Sequence, residues 1–140
     1  MIAPSIYTLI SNITQITDKL STYQFTSGTD SPAIFTSYEM YDDSARAAII
    51  ITEDSGDNAG TRGQKGGEQG AEIRILGNKQ TSDQLLRDIA TLVWENLDRS
   101  ALLISGFDSK GVYADLPIRV FDLDGFPGYS IAVRVLLLKS

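Results

Sequence analysis

Two runs that read as strands, AAIIITED at 47–54 and EIRIL at 72–76, are separated by a long stretch of glycine, amide and charge. Residues 54–70 hold six of the chain's twelve glycines and no large apolar side chain. Such a segment cannot bury enough apolar surface to offset its own ordering entropy, so it contributes nothing to a core. The core must be assembled around it. The flanking runs are predicted to pair as two arms of a hairpin, and the segment is predicted to be a long surface loop. Loops of this length are commonly either functional or disordered, and one that orders on a partner is both.

The rest of the chain supplies the layers such a hairpin needs. Apolar side chains at Ile2, Ile6, Leu9, Ile10, Ile13, Ile16 and Leu20 recur at steps of three and four, which predicts an amphipathic helix over 2–20 with Pro4 in its first turn. STYQFTSGTDSP ends that helix. Alternation from Ala33 to Tyr41 predicts a first strand, with Ile34, Tyr38 and Met40 on one face and Phe35 and Tyr41 partly on the other. AAIIITED is apolar enough to be central in a sheet.

A second helix is predicted over 82–98, capped by Thr81 or Ser82. Gln84 is placed to complete a capping box with Thr81, and Asp83 suits the positive end of the helix. Its stripe of Leu85, Leu86, Ile89, Leu92, Val93 and Leu97 is predicted to lie on the sheet beside Ile6, Ile10 and Ile13, with Trp94 at the edge of the core. GVYADLPIRVF and YSIAVRVLLLK read as two closing strands joined by the turn DLDGFPG, with Pro117 marking an edge or a bulge. The predicted order is α-β-β-β-α-β-β. It describes one α+β domain over 1–140, a mainly antiparallel sheet with two helices packed on one face.

Composition narrows the chemistry. The 140 residues include no cysteine and no histidine, which removes disulfides, thiolate chemistry, the commonest general base and the commonest transition-metal ligand. No apolar run is long enough for a membrane span, and no signal-peptide pattern is expected. A net charge of −6 argues against a protein that holds nucleic acid and suits a surface that DNA slides past.

The glycine-rich stretch is not a phosphate loop. Lys65 follows Gln64 rather than glycine, Gly66 stands where a hydroxyl is needed, and no helix opens after it. DLDG at 122–125 starts like a calcium loop but has Phe126 at the third ligand position. Asp42, Asp43, Glu53, Asp54 and Asp57 would cluster if the first two strands formed a hairpin, although solvated strand ends are the commoner arrangement. Phe126, Pro127 and Tyr129 are expected in a turn that either folds back over the sheet or presents two aromatics to a partner. No catalytic, cofactor-binding or metal-ligating residue is assigned.

AAIIITED, the loop 54–70, AEIRILGNKQTSDQLLRDIATLVWENL and YSIAVRVLLL together resemble the tail terminator, or tail completion, proteins of long-tailed bacteriophages and the related minor tail proteins of prophages. Those are small acidic α+β domains. They open with an amphipathic helix, carry a long loop within the sheet, cover the sheet with a second helix and close with a β-hairpin.

The resemblance implies a non-enzymatic assembly protein without cofactors. It implies a ring of this chain, usually of six subunits, that sits on the finished tail tube, ends its polymerisation and presents a surface to the head–tail connector. DNA would pass through without specific binding. The expected location is the head-proximal end of the virion tail, and the host cytoplasm during assembly. In such a ring the loop would order against a neighbour or the tube. Arg62, Lys65 and Glu68 would pair charges across that boundary, with Phe126 and Tyr129 as further interface residues. The alternatives are a nucleotide- or metal-dependent enzyme using carboxylates and Lys65, and a bacterial adaptor module unrelated to phage. If the second helix is oriented as predicted, Leu92→Ala costs about 2–5 kcal/mol.

Overall fold

The computed structural model describes residues 2–24, 30–36, 47–53, 67–77, 81–100, 102, 107–121 and 127–139. Elements follow in the order α1 (Ala3–Ser11), α2 (Thr14–Thr17), β1 (Thr22–Gln24), β2 (Asp30–Pro32), β3 (Ile34–Phe35), β4 (Ala47–Glu53), β5 (Gly67–Gly77), α3 (Asp83–Leu97), β6 (Phe107–Ala114), β7 (Ile118–Phe121) and β8 (Pro127–Lys139). The fold is of the α+β class, as expected. Six strands form the main sheet in the order β3-β4-β5-β8-β6, with β7 also paired to β8. All of these pairs are antiparallel except β3–β4.

The predicted first helix is broken at Ile13, whose backbone is extended at φ −98 and ψ 102. Side chains at the end of α1 turn back onto its carbonyls: the Asn12 amide donates to the Thr8 carbonyl at 2.8 Å, and the Ser11 hydroxyl donates to the same oxygen at 3.2 Å. Such local bonds offer the backbone an alternative to continuing the helix. The break changes which isoleucine is buried. Ile16 and Leu20 enter the core with Ile6 and Ile10, while Ile13 is only partly covered.

STYQFTSGTDSP does more than end a helix, because its two ends pair as β1 and β2. Ser21 clips this hairpin to the sheet: its N–H donates to the Ala47 carbonyl at 3.0 Å, its carbonyl accepts from Ala33 N–H at 2.8 Å, and its Oγ accepts from Ala47 N–H at 3.0 Å. The three-residue strands carry no alternating apolar signal, so nothing in the sequence marks them as strands.

The predicted strand 33–41 is described only through Thr36, and Tyr38, Met40 and Tyr41 lie outside the described residues. Its first two strand residues pair parallel to β4, Ile34 with Ile49 and Phe35 with Ile50. A parallel pair is not a hairpin. The acidic cluster imagined from one therefore has no such basis, and Asp42, Asp43, Asp54 and Asp57 lie outside the described residues. The β4–β5 hairpin does form, with Glu53 opposite Ala71.

β5 begins at Gly67 rather than Glu72, so the last four residues of the predicted loop belong to the sheet. Gly67 through Gly70 pair with Leu137 through Arg134 of β8. Glycine and polar residues there give no strand signal; the long partner strand supplies the pairing. The closing strand predicted at 111–121 is two strands. β6 starts at Phe107 and carries a bulge between Ser109 and Gly111, β7 covers 118–121, and Pro117 lies between them.

α1 and α3 lie against one face of the sheet. Ile49, Ile51, Ile73, Ile75, Ile131, Val133 and Val135 meet Ile6, Ile10 and the Leu86–Ile89–Ala90–Val93–Leu97 stripe of α3. On the opposite face Ala33, Phe35, Ala48, Ile50 and Leu76 form a smaller buried group. The α3 stripe is rotated from the predicted one: Leu85 and Leu92 are half-buried at its margin, and Ala90 takes a central place. Ser82 rather than Thr81 is the cap and accepts from Leu85 N–H at 3.1 Å, and the Gln84 amide donates to Asp88 at 2.8 Å.

This rotation changes the expected cost of truncating Leu92. Ile89→Ala should cost about 2–5 kcal/mol, the range for emptying a fully buried site, and Leu92→Ala less than half as much. Urea unfolding of both variants checks the orientation of α3, and equal losses would contradict it.

Candidate functional site

The expected interface residues do not gather in one described place. Arg62, Lys65 and Phe126 lie outside the described residues. Glu68 sits on β5 opposite Leu136 of β8, and its side chain is outside the description. Tyr129 is in β8 rather than in the turn, and its side chain is only 7% exposed. It is used inside the fold rather than presented at a tip.

Tyr129 is the buried member of a polar cluster at the start of α3. Its hydroxyl lies 3.1 and 3.2 Å from the two carboxylate oxygens of Asp83, to which it donates. Arg87 donates from Nε to the Tyr129 oxygen at 3.3 Å and from Nη2 to Asp83 at 3.2 Å. Arg119 of β7 approaches Asp83 at 3.6 Å, and its guanidinium lies 5.6 Å from the centre of the Phe121 ring. Hydrogen bonding to the Tyr129 oxygen, ahead of the charges beside it, raises the pKa of the Arg87 guanidinium. The negative carboxylate also suits the N-terminal end of the helix. One side chain thus ties α3 to both β7 and β8.

A matching clip holds the other end of α3. Trp94 Nε1 donates to the Ala114 carbonyl at 2.9 Å, and the Asp98 carboxylate accepts from Ala114 N–H at 3.0 Å. Arg99, in the left-handed region at φ 62, donates its N–H to the Val112 carbonyl at 2.7 Å. Trp94 packs against the core from its edge, as predicted.

The face away from the helices carries a different surface. Odd positions of β8 point to the helices, so Ser130, Ala132, Arg134 and Leu136 line the open side. There Ser130 donates to Glu72 at 2.8 Å, and Glu72 accepts from Arg74 at 2.9 Å. Tyr113 stands opposite Arg134, and Ile118 opposite Ser130. Tyr113, Ile118 and Leu136 are 55%, 64% and 43% exposed, and Leu116 in the connector reaches 66%. Phe121, on the other side of β7, is 62% exposed. Sequence reasoning misses these residues because LPIRVF looks like part of an ordinary closing strand. The available signal is a short apolar run beside a proline, which suits a sheet edge.

Among the described residues no three acidic side chains stand together as a metal site, and no helix is long and apolar enough to cross a membrane. Glu53 is the one member of the imagined acidic cluster within the described residues, and it caps α1 by accepting from Ala3 N–H at 2.7 Å. Comparison of the chain with protein families, curated proteins and solved structures finds no match.

Both the Tyr129 cluster and the Glu53 cap can be measured. Tyr129→Phe leaves the ring in place and removes the hydroxyl, so it should cost about 1–2 kcal/mol in chemical unfolding. Asp83→Asn combined with it should cost less than the sum of the two changes made singly, because they share the Tyr129–Asp83 hydrogen bond while only the Asp83 change also weakens the Arg87 and Arg119 pairs. Burial of Glu53 works to raise its pKa, but the hydrogen bonds its carboxylate accepts, those from the backbone N–H groups of Ala3 and Ile2 among them, outweigh it and leave the pKa below its ordinary value. The native carboxyl therefore binds a proton less readily than the unfolded one. Its contribution is present above the unfolded pKa and is lost as pH falls through the folded one. Glu53→Gln should flatten the acid limb of stability below about pH 4.5 and leave its shape near neutrality unchanged. An unaltered acid limb would remove Glu53 from that role.

Proposed function

We propose that this chain is a structural subunit of a long phage tail, a terminator that assembles into a ring of six copies on the end of the tail tube. The ring ends tube polymerisation and offers its far side to the head–tail connector, while DNA passes through an acidic lumen without being held. The protein acts by fitting surfaces together rather than by catalysis.

The observation that carries the assembly reading is the exposed apolar edge formed by Leu116, Ile118 and Phe121 on and beside β7. Edge strands of proteins that remain alone are usually guarded by charge, bulges or cover, because an open edge invites pairing. β6 has a bulge, whereas β7 sets large apolar groups in solvent. The assignment to a tail terminator adds the likeness of the layout: an opening helix, a long polar segment between two paired strands, a covering helix, and long closing strands. The segment's composition, with glycines and the charges of Arg62 and Lys65, suits ordering against a neighbour.

Polymerising tail tube protein with and without this chain tests the reading by electron microscopy. The expected result is tubes of arrested length, each bearing a ring at one end. Tubes that grow equally long and bare in its presence would overturn it. Replacing residues 54–66 with a short Gly-Ser turn leaves Gly67–Gly70 paired with β8. The thermal transition should therefore stay within a few degrees while capping is lost. Full capping by the shortened chain would make the segment a neutral insertion.

A further inference from the structure

We propose that the exposed half of the open sheet face docks on the flank of α3 in a second copy of this chain. The proposal rests on the ring reading above and names the surfaces that would meet between neighbouring subunits. One surface is the patch of Tyr113, Ile118 and Leu136 around Arg134. It is the uncovered half of a face whose other half is already buried at Phe35, Ile50 and Leu76. Arg134 is exposed and makes no ion pair with a described residue, so the patch is apolar with a cation within it.

The other surface is read from α3. Leu85, Asp88, Leu92 and Glu95 recur at steps of three and four and share one flank of the helix. Leu85 and Leu92 are only half-buried against the core, and Glu95 is exposed. This flank therefore has the same make-up with the opposite charge: apolar groups beside two carboxylates. Two copies meeting patch to patch would bring Arg134 towards its own counterpart, which charge disfavours, whereas patch to flank brings it to Asp88 and Glu95.

The two surfaces lie on opposite sides of the sheet, one on its open face and one on the helix layer. A contact between them is heterologous. It repeats from copy to copy, and closes into a ring when the rotation per subunit allows. A further subunit can always add until closure, which is the property a cap on a tube requires.

Charge exchange tests the pairing. Light scattering and sedimentation velocity would compare the wild type, Ile118→Asp, Arg134→Glu, Glu95→Arg and the Arg134→Glu/Glu95→Arg double variant, each checked for an unchanged circular dichroism spectrum. Wild type should self-associate, Ile118→Asp and each single charge change should weaken association by roughly tenfold or more, and the double variant should recover most of it. Three results would overturn the contact: a wild type that stays monomeric alone and with tube protein, association indifferent to Ile118→Asp and Arg134→Glu, or single losses that the double variant does not repair. Stronger association of Arg134→Glu would indicate the patch-to-patch arrangement and also exclude it. Tube capping separates the two readings. Rings that cap tubes despite these substitutions would defeat the contact alone. Charge-dependent oligomers that never cap would defeat the tail assignment and leave the contact standing.

Discussion

β8 pairs along both of its edges, and the rest of the molecule depends on that double pairing. Ten of its residues are matched to β5 on one side, and β6 and β7 share the other side end to end. Its alternation then does two jobs. Tyr129, Ile131, Val133 and Val135 face the helices, while Ser130, Ala132, Arg134 and Leu136 face away. A one-residue slip would exchange these sets and empty the core. The close approach at Gly128 helps to exclude such a slip, because a Cβ there would lie 2.5 Å from the Ile75 carbonyl oxygen.

α3 reports on that register at both of its ends. Asp83 reaches Tyr129 and Arg119 from the first turn, and Trp94 and Asp98 reach Ala114 from the last. These polar contacts are individually modest, since exposed ion pairs contribute about 0–1 kcal/mol each. They act on a helix whose apolar stripe already supplies the adhesion, and they select one position for it along the sheet. The consequence for the proposed assembly is rigidity. The patch around Arg134 and the flank around Leu92 are held by the same strands and helix, so a contact between copies would meet preformed surfaces and incur little ordering cost.

The fold is legible where one period dominates a long segment. The 3.6-residue spacing from Leu85 to Leu97 and the apolar run AAIIITED each identify an element within a few residues. Elements are lost where a partner elsewhere in the chain makes the strand. β1 and β2 are three residues each, and Gly67–Gly70 are strand only because β8 extends past Val133. The candidate surface is less legible than the fold. Glycine, charge and turn aromatics are conspicuous in composition, and they point elsewhere. Tyr129 proves to be committed to Asp83, and the exposed apolar groups come from a closing strand that looks ordinary.

The sequence by itself determined which segments could be apolar layers, where α1 and α3 would start, and that histidine and cysteine chemistry is closed to this chain. Those properties follow from residue type and short-range period, which act locally. Only the tertiary structure decided that the closing strand divides at Pro117, that Tyr129 turns inward, and that Ile118, Arg134 and Leu136 share one open face. Exposure is a property of what else packs nearby. An apolar residue in a strand is written the same way whether a helix covers it or water does, and here the helices cover one face only.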